Sequence, residues 1–441
     1  MENKSLKKDI GLFMATMLVC GNMIGSGVFM LPATLADVSG PLATIIAWIL
    51  TTAGSILVAI SFANLGSKYP STGGAYQYIK EAFGEFAGFL SAWLYWNGSW
   101  IGNTAILVTL TSYSVTVFSF LENPIYSIIY SSVILWAVTI LNIVGVKQAG
   151  KIQSFTTVFK IVFFTLFIVV AFLNFNSDNL IPLNPPGKGV ETISVAATTT
   201  LWAFIGLESA TVAAGEIKNP EKNIKTSTIY GIIIAAVIYF LISIASMGAL
   251  PNYILAKSTA PLTDILANSL GASIGKIISV VVIISILGTT IGWILSTARV
   301  SYAAGKDGVF PKIFGRTSEK YNTPVYSLVI SSVLVNILLL TNYQKSMVSA
   351  FAFITMLATL SYLPVYLLAV SAEIMITLRD EKRISIGIFI KKSILPLIAF
   401  IYTIWTIYGS GAETVMWGFI MMLAGIPFYI YNYHKNIKNT H

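Results

Sequence analysis

Charge is what this chain has least of. Only 10% of its 441 residues are Asp, Glu, Lys or Arg, while 56% are hydrophobic. A soluble fold of that length needs about a quarter of its residues charged, so the composition leaves a polytopic membrane protein. Cysteine is almost absent as well. Cys20 is the single one, which rules out an intrachain disulfide and any cysteine-ligated metal cluster. Both histidines, His434 and His441, sit in the C-terminal tail. Histidine-ligated metals and Ser-His hydrolysis therefore have no material inside the membrane. No cofactor, no metal and no enzymatic chemistry are expected.

Hydrophobic runs, by contrast, are plentiful. Stretches of about 20 apolar residues read as helical spans, and twelve are expected: 10–36, 40–66, 83–117, 124–146, 153–175, 192–215, 226–249, 271–304, 324–341, 346–377, 392–409 and 412–433. Of the 27 Lys and Arg residues, 22 fall on the side that holds the N-terminus. Four (Lys188, Lys257, Lys276 and Lys345) fall on the other side, and Lys160 lies within a span. Basic residues collect on the cytoplasmic side of membrane proteins, so both termini are expected there, in a cell inner (plasma) membrane. The net charge of +9 is thus a topology signal, with no nucleic-acid partner implied.

Residues 20–27 interrupt the first span. Cys-Gly-Asn-Met-Ile-Gly-Ser-Gly puts three glycines and two polar side chains, Asn22 and Ser26, near mid-depth. Hydrocarbon cannot satisfy free backbone groups, so a broken helix survives there only against protein or a water-filled cavity. The bared amides of the outer half-helix would suit a carboxylate. The alternative is an unbroken helix in which Gly21 and Gly25 form a small-xxx-small packing face. The sixth span tips the balance towards a break. Its Leu201-Trp202-Ala203-Phe204-Ile205-Gly206-Leu207-Glu208-Ser209 again sets a glycine and a carboxylate at depth. Paired defects five spans apart point to an inverted-repeat transporter with a midplane site.

At these residues the chain resembles the amino acid–polyamine–organocation superfamily. The likeness rests on Gly25-Ser26-Gly27-Val28-Phe29 with Pro32, on Pro70-Ser71-Thr72-Gly73-Gly74-Ala75-Tyr76, and on the sixth-span motif. Lys218-Asn219-Pro220-Glu221-Lys222-Asn223 and Gly308-Val309-Phe310-Pro311 extend it. A narrower likeness, to bacterial arginine/agmatine antiporters, is carried by Asn22, Trp100-Ile101-Gly102-Asn103, Gly292-Trp293 and Gly409-Ser410-Gly411-Ala412-Glu413. The resemblance implies an all-α protein with a five-plus-five inverted repeat, the LeuT-like fold, with helices 1 and 6 broken. Its repeats would be 10–175 and 192–377, followed by two helices in 392–433, with cytoplasmic tails 1–9 and 434–441.

It also implies roles. Asn22, Met23, Gly25, Ser26 and Gly27 would line the carboxylate and α-amino end of a substrate. Gly98, Ser99, Asn103, Ile106 and Leu357 would surround the far end, with Trp202, Ile205 and Trp293 along the side chain. Tyr95 and Glu208 would form an inner gate, Trp202 and Trp293 an outer and a middle one, and Tyr76 would belong to a pH-responsive cytoplasmic loop. The residue chemistry agrees, because tryptophan is the best aromatic face for a cation and asparagine offers a neutral acceptor. Ordinary packing for the tryptophans and an interhelical hydrogen bond for Asn103 are the plainer alternatives.

Three departures separate this chain from the arginine exchangers. Leu357 stands where they have a serine, and Val365 where they have a gate tyrosine, with Tyr366 one place on. Lys160 stands where they are uncharged. In sodium-independent relatives a fifth-span lysine takes the place of a sodium ion beside the first and eighth spans, and there Lys160 could carry a coupled proton. Otherwise it snorkels to the cytoplasmic face. Glu373 reads as cytoplasm-facing. The expected function is secondary transport of a cationic, arginine-like amino acid in exchange for its decarboxylated amine or another amino acid. Proton symport or neutral amino acid exchange is the near alternative; an ion channel or a nutrient sensor is the distant one. The lipid bilayer is the remaining expected partner, and a homodimer is compatible with the sequence.

Overall fold

A computed structural model describes residues 10–437 apart from 71–72, 145, 215–216, 319, 322, 342–346 and 380–384. The expected tail 1–9 and the last four residues of the other tail lie outside the described residues. Helices dominate, as they must where backbone groups have to be satisfied within their own segment. In chain order they are α1 (Leu12–Met23), α2 (Gly27–Val38), α3 (Pro41–Lys68), α4 (Ala75–Phe83), α5 (Glu85–Val115), α6 (Pro124–Val144) and α7 (Val146–Leu173). Next come α8 (Ile193–Leu201), α9 (Ser209–Val212), α10 (Pro220–Ala249), α11 (Asn252–Leu255), α12 (Pro261–Leu270) and α13 (Ala272–Lys306). The last four are α14 (Val325–Thr341), α15 (Met347–Arg379), α16 (Ile386–Gly409) and α17 (Ala412–Ile437).

Ten helical stretches among the described residues are long and apolar enough to cross a membrane, counting α1 with α2 and α8 with α9 as single stretches. The chain is a multi-pass membrane protein. The other two expected spans are helical too. α14 is a shorter apolar helix of 17 residues. α5 runs for 31 residues but carries Trp, Asn, Ser and Gly where its neighbours carry Leu and Ile.

That polarity reflects position. α5 packs against α13, α14 and α15 and is buried along most of its length. Its hydroxyls cost little there because they bond back to their own helix: Thr109 to the Ala105 carbonyl, Thr111 to Leu107 and Ser114 to Leu110. By contrast α16 and α17 bury few residues and sit at the periphery.

Both expected interruptions are present. α1 stops at Met23, Ile24 leaves the helical region with ψ 67°, and α2 starts at Gly27. In the sixth span α8 ends at Leu201, a 3₁₀ turn covers Trp202–Phe204, and α9 resumes only at Ser209. Gly206 holds φ +107°, a region that side chains rarely adopt. Just before α1, Ile10 pairs with Ile217, and the Lys218 amide donates to the Ile10 carbonyl at 2.9 Å. The start of α1 is thereby tied to the segment leading into α10.

Glu373 does not face the cytoplasm. It is buried where α15 packs on α3, and Asn64 Nδ2 donates to its Oε1 at 2.7 Å. Its partner lies on a second helix, α3, and hydropathy along one helix does not reveal that packing.

Gly206→Ala should lower stability by about 1–3 kcal/mol, because the new Cβ would sit 3.2 Å from Asn22 and Trp293 at a strained φ. Thermal unfolding in detergent measures it.

Candidate functional site

The two interruptions meet at one cavity. It is narrow, with about 20 Å³ open to the centre of a water-sized molecule, and its walls include Asn22, Met23, Gly25, Ser26 and Gly27 from the first span. Ser99, Gly102 and Ile106 of α5, Trp202 and Ile205 of the sixth span, Trp293 of α13 and Tyr362 of α15 complete it. Ten of these twelve are expected from sequence; Gly102 and Tyr362 are not. Gly102 belongs here because the Trp202 indole lies across it. A Cβ on Gly102 would approach Trp202 Cη2 to 2.8 Å, and one on Gly27 would approach Cδ1 to 3.0 Å. Two glycines thus let one indole span from the first broken helix to α5.

Three expected lining residues stand back from the cavity. Gly98 packs against the Tyr362 ring, close enough that a Cβ would lie 2.8 Å from it. Asn103 is buried and gives its Nδ2 to Thr297 Oγ1 of α13 at 2.9 Å, the interhelical bond that is its plainer alternative. Its Oδ1 has no partner among the described residues. Leu357 is partly buried on α15 and forms no part of the cavity wall. The face of α5 that looks inward is the row 99, 102, 106. At 100° per residue, positions 98 and 103 fall roughly 70° to either side of it.

The broken backbone is held by side chains from other helices. Trp293 Nε1 donates to the Asn22 carbonyl at 3.0 Å. Lys160, 1% exposed, donates its Nζ to the Ile24 carbonyl at 3.1 Å and to Thr289 Oγ1 of α13. Lys160 therefore does not snorkel: it lies between the first and eighth spans, on the unwound segment itself. The Asn22 side chain is occupied at both ends, with Nδ2 donating to Ser209 Oγ at 2.8 Å and Oδ1 accepting from Gln153 Nε2 at 2.5 Å. Its amide braces the two breaks against each other, while the residue contributes to the cavity wall. Ser26 Oγ is buried without a partner among the described residues. With the first amides of α2 beside it, it leaves donors for an anionic group.

On the other side of the sixth-span break, Glu208 is fully buried. Tyr95 donates to its Oε1 at 2.7 Å, Tyr366 to its Oε2 at 2.9 Å, and the Gly206 amide to Oε2 at 3.2 Å. Tyr366, and not Val365, faces this carboxylate. One turn earlier on α15, Tyr362 shares a 2.7 Å hydrogen bond with Ser99, so positions 362 and 366 form one row. Three tyrosines thus run from the cavity wall to the carboxylate below it.

The family model for amino acid permease matches residues 10–431. The chain belongs to the amino acid permease family. The permease is 30% identical to a putative arginine/ornithine antiporter of Bacillus subtilis (strain 168), over 96% of each chain. It is 32% identical to an arginine/agmatine antiporter of Chlamydia abortus (strain DSM 27085 / S26/3), over 96% of this chain and 90% of that one. With the putrescine transporter PotE of Escherichia coli (strain K12) it shares 29% identity over the full length of both.

Tyr76 of the permease lies well away from the cavity, on α4. Its phenol donates to Asp307 Oδ2 at 3.0 Å, and Gln77 Nε2 reaches the same oxygen at 3.3 Å. Lys80 Nζ stands 3.9 Å from that oxygen. Burial first, and then the neighbouring carboxylate, push the phenol above its ordinary range. Tyr76 consequently stays protonated and donating throughout the neutral range.

Tyr366→Phe should cost about 1–3 kcal/mol, since it leaves a buried carboxylate oxygen with one weak backbone donor. A fall in melting temperature, larger than for phenylalanine at the exposed Tyr408, checks it.

Proposed function

We propose that the permease is a secondary active transporter that exchanges a cationic, arginine-like amino acid for its decarboxylated amine or another amino acid by alternating access. The observation that carries this reading is the meeting of two broken membrane helices at one cavity, between Trp202 and Trp293. The Ser26 hydroxyl, without a partner among the described residues, and the N-terminus of α2 suit a substrate carboxylate. The indole of Trp202 suits a cationic head group, a contact worth up to about 2 kcal/mol when desolvated. The names borne by the relatives, arginine/ornithine, arginine/agmatine and putrescine carriers, lie in the same substrate class.

On this reading all twelve spans cross a plasma membrane, with both termini in the cytoplasm. Residues 10–175 and 192–377 form the inverted repeats. Trp202 closes the outer side, Trp293 the middle, and the Tyr95–Glu208–Tyr366 cluster the inner side. Asn103, set behind the lining row, serves by fixing α5 to α13. A channel would want an open, ring-lined pore, and the indoles across this cavity favour a carrier.

Counterflow tests the assignment. Proteoliposomes preloaded with agmatine, ornithine or unlabelled arginine should accumulate labelled arginine, and empty vesicles should not. Uptake into empty vesicles would refute obligatory exchange.

Lys160 favours a second reading, proton-coupled uptake. Its ammonium sits on the unwound Ile24 carbonyl, where a change of protonation would alter how the break is held. Lys160→Gln should retain counterflow but lose uptake driven by an imposed pH gradient. Unchanged gradient-driven uptake would remove the lysine from the coupling.

A further inference from the structure

A second, smaller hollow lies beside the outer half of the first span, and no role proposed above uses it. Val28, Leu31 and Pro32 of α2 form one wall, Trp48 of α3 another, and Tyr239 and Ser243 of α10 a third. Trp48, Tyr239 and Ser243 are 2%, 1% and 3% exposed. Trp48 Nε1, Tyr239 Oη and Ser243 Oγ nevertheless have no hydrogen-bond partner among the described residues. Three buried polar groups on residues lining one hollow thus lack a protein partner among the described residues, and buried groups of this kind are as a rule paired with protein or with ordered water.

We propose that a single resident water molecule occupies this hollow and joins α3 to α10. The donor and acceptor balance is what identifies it. The indole can only donate, and the two hydroxyls can donate or accept. Water, with two hydrogens and two lone pairs, can accept from Trp48 and donate to one hydroxyl while pairing either way with the other. No side chain of like versatility is at hand. The space is also of the right size, with room for about one water-sized molecule. An ion fits poorly, because no charged side chain lines the hollow and an unpaired buried charge is far more costly than a neutral dipole.

The water has a place in the larger structure. The Tyr239 ring packs 5.7 Å from Trp48 and 5.6 Å from Phe204, which closes the 3₁₀ turn of the sixth-span break. The hollow therefore backs onto both interruptions. If the helices around it shift during exchange, which rests on the function proposed above, a water can reorient and re-pair where a direct side-chain bond would have to break. The occupancy of the site does not depend on that reading.

Two conservative variants give opposite signs for a wet and a dry hollow. Tyr239→Phe and Ser243→Ala each delete one hydroxyl and little volume. If water is bound, each removes a hydrogen bond and lowers the melting temperature of the purified full chain by a few degrees. If the hollow is dry, each removes an unsatisfied buried polar group and leaves the melting temperature unchanged or raised, which would overturn the proposal. A density map fine enough to resolve ordered water should show one peak within hydrogen-bonding distance of Trp48 Nε1, Tyr239 Oη and Ser243 Oγ. An empty hollow would overturn the proposal directly. So would an anomalous signal there after bromide exchange, which would make it an anion site. Because the readouts are thermal and crystallographic, failure here leaves the exchange assignment standing, and failure of counterflow leaves the water standing.

Discussion

A carbonyl stripped of its helical partner has nothing to bond with in hydrocarbon, and the permease is arranged around meeting that demand at two places. In the first span the Asn22 carbonyl takes the Trp293 indole N–H and the Ile24 carbonyl takes the Lys160 ammonium. In the sixth, the Gly206 amide turns to the Glu208 carboxylate. Each of these partners comes at a cost of its own in a membrane, whether an indole dipole, a lysine amine or a glutamate carboxyl. Their presence is explicable because an unwound segment without them would cost several kcal/mol per group. The cavity between the breaks is what that arrangement leaves open.

The same demand explains why the two buried ionisable side chains are kept apart. Lys160 lies on the first break, against α13. Glu208 lies beyond the second break, under two tyrosines. Neither lines the cavity. A charge in the wall would hold one protonation state or one substrate charge too firmly for a carrier that must release what it binds. Placed behind the wall, each acts on the unwound backbone and so on the shape of the site, while the wall itself offers hydroxyls, an indole face and free amides.

How far the sequence reveals this follows from what kind of signal each feature leaves. The breaks are legible because glycines and polar residues clustered at mid-depth are costly in an unbroken, lipid-facing helix, and ten of the twelve wall residues follow from them and from the family resemblance. The Tyr95–Glu208 bond is legible on similar grounds, since an intramembrane carboxylate must find a donor. What is not legible is the rotation of a helix about its axis. The family resemblance points to residues 98, 99, 103 and 106 of α5 as wall residues and passes over 102. Only tertiary packing selects the row 99, 102, 106 and turns Asn103 towards Thr297. The same uncertainty of a fraction of a turn separates Val365 from Tyr366 and hides Tyr362. Glu373 reads wrongly in sequence because its cover comes from α3, where its partner Asn64 lies 309 positions away.

Setting Asn103 and Leu357 behind the wall bears on how a cation would be held. The far end of the cavity is formed by Ser99, Gly102, Ile106 and Tyr362, with the Ser99 and Tyr362 hydroxyls already bonded to each other. No carboxylate is available there among the described residues. For the cationic substrate proposed above, recognition of the head group would come from aromatic faces and from hydroxyl oxygens with a lone pair to spare. Such a site grades cations by size and reach more than by hydrogen-bond geometry, because an aromatic face accepts guanidinium and ammonium alike. A carrier built this way suits a pair of substrates that share a cationic end and differ at the other. On the proposed reading, an amino acid and its decarboxylated amine are such a pair, and the N-terminus of α2 would read the carboxylate.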